Sequence, residues 1–268
     1  MLNACILACV TVLVLFAIYI RVKFKFWAIQ PVFHLYDLNH WIFPNRIIEH
    51  ELPRFNAYVD MLHIHTYNLS ETPECILQSA TQLIQTHYLR TNSMEYIPSK
   101  EDIFECPYNS FLSVYTNNLL SLKRCTNDNP VVPTLLGVIT ARPLYVTFPT
   151  TVLKVHYIDH LTVDTKHRKE GIAPKLIQTH HYHIRERVPD TKICLFKREG
   201  DMTAIVPLIR FNISGYDLKD IIHLPISSPS LQLNRIDKHN FNEFKTFCKT
   251  SSKRFQCCIH MDSLNVYD

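Results

Sequence analysis

Glycine is scarce in this chain, with four residues, at 137, 171, 200 and 215, among 268. Glycine is the most permissive backbone residue, so each one that is kept carries weight, and Gly171 falls inside the run IDHLTVDTKHRKEGIAPKLI at 158–177. Other absences narrow the chemistry. No G-x-S-x-G or comparable setting occurs, which leaves covalent nucleophilic catalysis without support. No basic run is interleaved with aromatics, so nucleic acid is not an expected partner. Internal repeats and low-complexity segments are missing. The nine cysteines include no C-x-x-C pair, and the adjacent Cys257 and Cys258 give no zinc site. The seven beyond residue 20 (75, 106, 125, 194, 248, 257 and 258) read as free thiols in a reducing compartment. His180, His181 and His183 lack the i, i+4 spacing that places two ligands on one helix face, so no metal is expected.

Charge is also absent from residues 1–20, MLNACILACVTVLVLFAIYI, which reads as a single-pass transmembrane anchor. A cleaved signal peptide would carry a basic start and a small-residue cleavage site. Arg21, Lys23 and Lys25 come directly after the segment, and the positive-inside rule puts the main domain in the cytosol. On that orientation the sequons Asn68-Leu69-Ser70 and Asn212-Ile213-Ser214 go unused. With 47% hydrophobic residues, 19% charged residues and a net charge of +4, the remainder can bury one large domain, or one domain plus a fragment. The mild positive balance fits an anionic cofactor or a membrane surface as well as an ordinary surface.

Periodicity predicts a helix over 73–90, capped by Thr72, with Ile76, Leu77, Ala80, Leu83, Ile84 and Tyr88 as its apolar stripe. A shorter helix is expected from about 100, with Ser99 and Asp102 as a capping pair. Residues 33–66 read as loops and a short strand. Strands at 134–140 and 144–150 are expected to form a hairpin across Ala141-Arg142-Pro143, and 155–163 is the next strand. A helix then runs from Pro174, which suits a first helical position, to about Arg187. This is an α+β order of helix, helix, three strands, loop and helix.

Between that last strand and helix lies Arg168-Lys169-Glu170-Gly171-Ile172-Ala173-Pro174. Small residues at 171 and 173 let the backbone approach a ligand, and the loop amides with the helix N-terminus suit a pyrophosphate. The pattern resembles the acyl-CoA loop of GCN5-related acyltransferases. Two further stretches, in matching order, narrow the resemblance to the N-myristoyltransferases. Phe24-Lys25-Phe26-Trp27 followed by Gln30-Pro31-Val32 is similar to the family's aromatic segment against acyl-CoA. Leu136-Gly137-Val138-Ile139-Thr140-Ala141-Arg142-Pro143 is similar to its central strand, and Leu161-Thr162-Val163 with Lys166, Arg168 and Ala173-Pro174 to its pyrophosphate signature. The likeness runs from residue 24 to 222, and weakly to 260.

The resemblance implies a GCN5-related mixed sheet flanked by helices, which here follows the transmembrane helix read from residues 1–20. It divides the chain into an anchor at 1–20, an acyl-CoA-binding domain at 24–222 and the start of a second acyltransferase-like half at 223–268. It implies an acyl-CoA donor, myristoyl-CoA foremost, no metal, and the N-terminal glycine of a protein as acceptor. The backbone amides of His160 and Leu161 would form an oxyanion hole. Phe24, Phe26, Trp27, Val163, Lys166, Arg168, Lys169, Gly171, Ile172, Ala173 and Pro174 would line the cofactor. Departures from the family are His160 in place of phenylalanine, Asp159 in place of asparagine, and Asp164, Thr165 and Glu170 in the basic loop. They leave two alternatives open: a homologue that binds acyl-CoA or a protein without turnover, and an acetyl-CoA-dependent N-acetyltransferase. Asp159 and His160 are the candidate proton acceptors.

Overall fold

The computed structural model describes residues 2–43, 47–88, 96–126, 129–130, 132–198, 205–212, 214 and 234–261. They fall into two compact units, Met1–Pro143 with Val155–Val206, and Leu144–Lys154 with Pro207–Asp268. The reading of 223–233 as the start of a second half lies outside the described residues.

The first unit begins with helix α1, Leu2–Lys23, about 33 Å long at 1.5 Å per residue. Its 18 residues Ile6–Lys23 are long and apolar enough to cross a membrane. Most of its large apolar side chains are exposed, Leu7 by 68%, and among the described side chains only Ile20 is buried. After a short helix α2, Leu38–Ile42, come strand β1, Ile64–Asn68, and helix α3, Glu74–His87.

Helix α3 starts one residue later than predicted. Pro73 is its N-cap, with no side-chain cap, because the Thr72 hydroxyl instead donates to the carbonyl of Asn68. Helix α4, Lys100–Ile103, carries the expected capping box of Ser99 and Asp102.

Strand β2, Phe111–Tyr115, pairs antiparallel with β1, Ile64 opposite Tyr115 and Asn68 opposite Phe111. Helix α5, Leu119–Arg124, leads into a small ribbon of β3, Cys125–Thr126, and β4, Asn129–Pro130. Strand β5 is continuous over Gly137–Thr147, which overturns the hairpin expected at 141–143. Proline cannot donate to a ladder and is confined to positions without a partner. Strand β2 ends opposite Ala141, so Pro143 lies past that ladder and the strand runs through it. The chain reverses instead at 148–151, where Phe148 N donates to the Thr151 carbonyl, and continues as β6, Val152–Val163.

Helix α6 spans Ile172–Arg187. Pro174 is therefore its third residue rather than its first, still within the turn where no amide is needed. The helix stops before Pro189, whose ring disfavours a helical Val188; Val188 has φ −128° and ψ 75°. Strand β7, Cys194–Phe196, pairs parallel with β6, and the sheet order is β1-β2-β5-β6-β7.

Side chains alternate across a strand, and β2 uses both faces. Leu112 and Val114 join Ile76, Ala80 and Ile84 of α3. On the other face Phe111 packs with Ile184 of α6, and Tyr115 with Ile172 and Leu176. Each fully buried aliphatic side chain contributes roughly 1.5–3 kcal/mol, which makes α6 a rigid backing for the loop that precedes it.

Two cysteines expected to be free are joined. Cys75 of α3 and Cys125 of β3 form a disulfide across a separation of 50 residues, within the α3 core. Cys9, Cys194, Cys248, Cys257 and Cys258 carry free thiols.

In the second unit, strand β8, Cys258–His260, pairs antiparallel with the end of β5, Tyr145 opposite His260. Its helix α7, Phe241–Ser252, follows an Asp237–Asn240 turn in which Asp237 Oδ1 accepts from the amide of His239.

Candidate functional site

Strand β6 runs through a left-handed residue at His160. That residue has φ +49°, in the left-handed region, where a non-glycine residue costs roughly 1–2 kcal/mol. Three contacts hold it there. The Asp159 carboxylate accepts from the His160 amide at 2.8 Å. The Thr162 hydroxyl donates to the His160 carbonyl at 3.1 Å. The Thr140 hydroxyl of β5 meets His160 Nδ1 at 3.0 Å. Strain held by surrounding contacts is characteristic of functional sites.

A cleft of about 120 Å³ opens beside this kink, with Tyr96, Asp102, Glu105, Thr140, Asp159 and His160 in its wall. The Tyr88 hydroxyl at the end of α3 donates to Asp159 Oδ1 at 3.1 Å. Burial lowers the pKa of His160, Asp159 acting in the opposite sense, so the imidazole stays neutral near pH 7. Burial, then the Asp159 charge, raises the Tyr96 hydroxyl. Glu105 is paired with Arg142 at 3.3 Å, and Asp102 is committed to its helix cap. The two candidate proton acceptors, Asp159 and His160, both lie in the wall of this cleft. The pairs Tyr88–Asp159 and Thr140–His160 carry no sequence signal, because Tyr88 and Thr140 sit far from them in the chain and look like ordinary stripe and strand residues.

Beyond the kink, Asp164 N donates to the Leu136 carbonyl and its carboxylate caps a short 3-10 turn at Thr165–His167. Two left-handed residues come next, Lys169 at φ +69° and Gly171 at φ +82°. Gly171 is the N-cap of α6, and no side chain caps that helix. The amides of Ile172 and Ala173 open the helix, and Pro174 has none. A Cβ on Gly171 would meet nothing within 4 Å, so open space lies over this turn.

The charged side chains of the loop divide. Lys166 and Lys169 are exposed, whereas Arg168 donates from Nη2 to the His87 carbonyl at 2.9 Å. Glu170 is engaged by His167 at 3.1 Å. Val163 and Leu161 are half-buried and pack against the α6 core. The Ile172 side chain is wholly committed to that core, so only its backbone is available to a ligand.

The aromatic segment after α1 folds onto the same unit. Phe26 is buried and meets Tyr58 edge-on at 5.1 Å. Trp27 stacks on Phe196 of β7 at 5.6 Å, Phe24 is half-buried, and Gln30 Nε2 donates to Gln178 of α6 at 2.8 Å. These contacts set the segment against β7 and α6, the two elements that flank the kink and loop.

The histidine triplet on α6 is structural. His180 Nδ1 meets the Ser113 hydroxyl at 2.7 Å and His183 meets Glu186 at 3.1 Å. No group of three or more His, Cys, Asp or Glu able to hold a metal occurs among the described residues.

No family model matches the sequence, and no curated protein matches it. Solved structures do. Saccharomyces cerevisiae N-myristoyltransferase with bound myristoyl-CoA superposes with a TM-score of 0.59 at 15% identity, over 91% of this chain and 58% of that one. A second structure of that enzyme with myristoyl-CoA gives 0.56 at 14% identity, over 90% and 61%. A third, with myristoyl-CoA and inhibitors, gives 0.55 at 13% identity, over 90% and 59%. The chain spans about three fifths of the length of those enzymes. Over nine tenths of its own residues, this chain has the fold of those N-myristoyltransferase structures.

Proposed function

We propose that the chain binds a fatty acyl-CoA, myristoyl-CoA foremost, and transfers its acyl group to the N-terminal glycine amine of a protein, held at a membrane by α1. The observation that carries this reading is the succession of the His160 kink, the loop with left-handed Lys169 and Gly171, and the uncapped start of α6. The loop amides and helix N-terminus suit the CoA pyrophosphate, with Lys166 and Lys169 able to approach its phosphates. Trp27, Phe24 and the half-buried Val163 offer apolar surface to the acyl chain. In the transfer the amine nitrogen attacks the thioester carbon, the carbon–sulfur bond breaks, and the nitrogen's proton passes to the departing thiolate as free CoA forms. The His160 and Leu161 amides would polarise the thioester carbonyl. A preorganised donor of this kind contributes roughly 2.7–4 kcal/mol to the transition state. His160, neutral by burial, or Asp159 would accept that proton from the nitrogen and pass it on to the thiolate.

One observation favours a second reading, binding without turnover. The His160 amide is already occupied by the Asp159 carboxylate, itself held by Tyr88. A thioester oxygen must displace that carboxylate to reach the amide.

The test is the full chain with radiolabelled myristoyl-CoA and glycine-starting peptides, with CoA binding measured in parallel. Transfer by the wild-type chain supports the acyltransferase; Asp159→Ala raises it if the carboxylate mainly blocks the His160 amide and lowers it if the carboxylate takes the proton. Binding without transfer in either form leaves only the binder, and absence of both overturns the cofactor reading.

A further inference from the structure

Helix α2 and the turn before it carry an apolar surface that nothing among the described residues of the first unit covers. Leu35, Tyr36, Leu38, Trp41, Ile42 and Phe43 are all exposed, Leu38 by 75% and Trp41 by 59%. Six large apolar side chains within nine residues form a contiguous patch of the kind that marks an interaction surface. The patch is held in place rather than left as a loose end. His34 is buried and bridges Ile205, Val206 N donates to the Phe33 carbonyl at 2.7 Å, and the Phe33 and His40 rings meet at 4.1 Å.

Its chemistry is that of a segment lying in a bilayer interface. Between 33 and 43 the only charged residue is Asp37, and its carboxylate is spent on the amide of Asn39 at the start of α2. Trp41 Nε1 donates to the Leu35 carbonyl at 2.9 Å. The indole therefore enters an apolar medium without an unpaired N–H, which otherwise makes such a transfer costly. Upstream, α1 is long and apolar enough to span a bilayer. Exposed Arg21, Lys23 and Lys25 mark where that helix would leave it, among anionic headgroups. Only 14 residues separate Lys23 from Leu38, so the patch starts within easy reach of the surface from which α1 emerges.

We propose that residues 35–43 are a second membrane contact, an interfacial anchor whose Leu38, Trp41, Ile42 and Phe43 insert into the same leaflet that α1 enters. The lipid surface, rather than a protein, is the occupant, because Leu38 of the patch lies only 14 residues beyond the end of the apolar helix and the Trp41 indole N–H is internally bonded. The inference rests on the membrane-anchor reading of α1. Two points of attachment, one spanning and one lying flat, would fix the first unit's orientation to the bilayer instead of leaving it on a swivel.

The chain has two tryptophans, 27 and 41, so each can be isolated by a conservative change. The full chain is reconstituted in vesicles of phosphatidylcholine with phosphatidylserine, with and without bromine on shallow acyl positions, and vesicle association is scored by flotation. With Trp27→Phe, the remaining Trp41 emission should be quenched about twofold or more, as expected for a segment lying roughly 5–10 Å into the headgroup boundary. With Trp41→Phe the quenching should fall sharply, since Trp27 is stacked on Phe196. Leu38→Asp with Ile42→Asp in the Trp27→Phe background should remove the Trp41 quenching while flotation persists through α1. Flotation with Trp41 unquenched overturns the interfacial contact and leaves the anchor standing, including where a protein partner or a second copy buries the ring. Absence of flotation overturns both.

Discussion

At Gly137 an added Cβ would come within 2.8 Å of Leu176 Cδ1 and 3.1 Å of Ile172 Cγ2, both fixed in the α6 core. At Gly171 it would meet nothing, yet φ is +82°. The two glycines are therefore kept for different reasons, one for close packing of helix on strand and one for backbone conformation. Gly137→Ala should cost about 1–3 kcal/mol by overpacking, partly relieved when Leu176→Val is added, which a double-mutant cycle in urea reads as coupling. Gly171→Ala should cost about 1–2 kcal/mol of strain, with no coupling to Leu176. Additive behaviour at Gly137 would mean that the helix simply shifts. The weight given to Gly171 is legible from its rarity and its place before an apolar helix. The left-handed histidine at 160 is not, since no sequence pattern reports a positive φ at a residue other than glycine. Nor are the Tyr88 and Thr140 contacts, which depend on how α3 and β5 meet β6.

Among the elements, α3, α4 and α6 come from local signals: a 3.6-residue stripe, a Ser99/Asp102 capping box and a loop-to-helix transition. The continuity of the strand at 137–147 is hidden in the sequence, because Pro143 looks like a turn until the end of its neighbour β2 at Ala141 is known. The Cys75–Cys125 link joins α3 to the ribbon after α5 over 50 residues, and no spacing rule reaches that far. Removing it with Cys125→Ala should lower stability by about 2–4 kcal/mol, measured by denaturant unfolding. Peptide mapping under non-reducing conditions should recover the crosslinked pair, and two free thiols would contradict it. Disulfides persist in oxidising compartments, whereas Arg21, Lys23 and Lys25 favour a cytosolic side, so the mapping also bears on which side of the membrane the first unit lies. A second tie is made by Arg185 of α6, buried and donating to the carbonyls of Glu49, His50 and Glu51, the shortest at 2.7 Å. Arg185→Met should leave those carbonyls unpaired and cost about 3 kcal/mol, with faster proteolysis at 47–52. Unchanged protease resistance would assign that segment's order to other contacts.

For the first unit as a whole, buried and half-buried histidines and the half-buried Asp60 set the response to acid. His34, His65, His160, His180 and His181 all have pKa values lowered chiefly by burial, His181 to about 4. His180 is the most enclosed, with Nδ1 on Ser113 and Nε2 without a partner. Unfolded histidines titrate near 6.5, so between that pH and about 4 the unfolded chain holds more protons than the folded one. Stability must then rise with pH across this window. It is fully present above about 6.5 and is lost as the pH falls. Asp60 continues the trend. Burial opposes its ionisation, but the Lys175 ammonium at 2.9 Å and the His63 contacts outweigh it and hold its pKa at about 2, so its contribution is present above about 3.8 and declines toward 2. The lowered pKa values of these histidines should therefore make stability fall between pH 7 and 4.5. Urea midpoints measured for the full chain in detergent at pH 7.5, 6 and 5 should fall steadily. His180→Gln, able to keep the Ser113 hydrogen bond but unable to take a proton, should flatten that slope. A midpoint that is constant from pH 7.5 to 5 would show that these rings are solvated in the folded chain, and with it that the sheet and α6 close over them less tightly than the burial of Leu176, Ile184 and His180 requires.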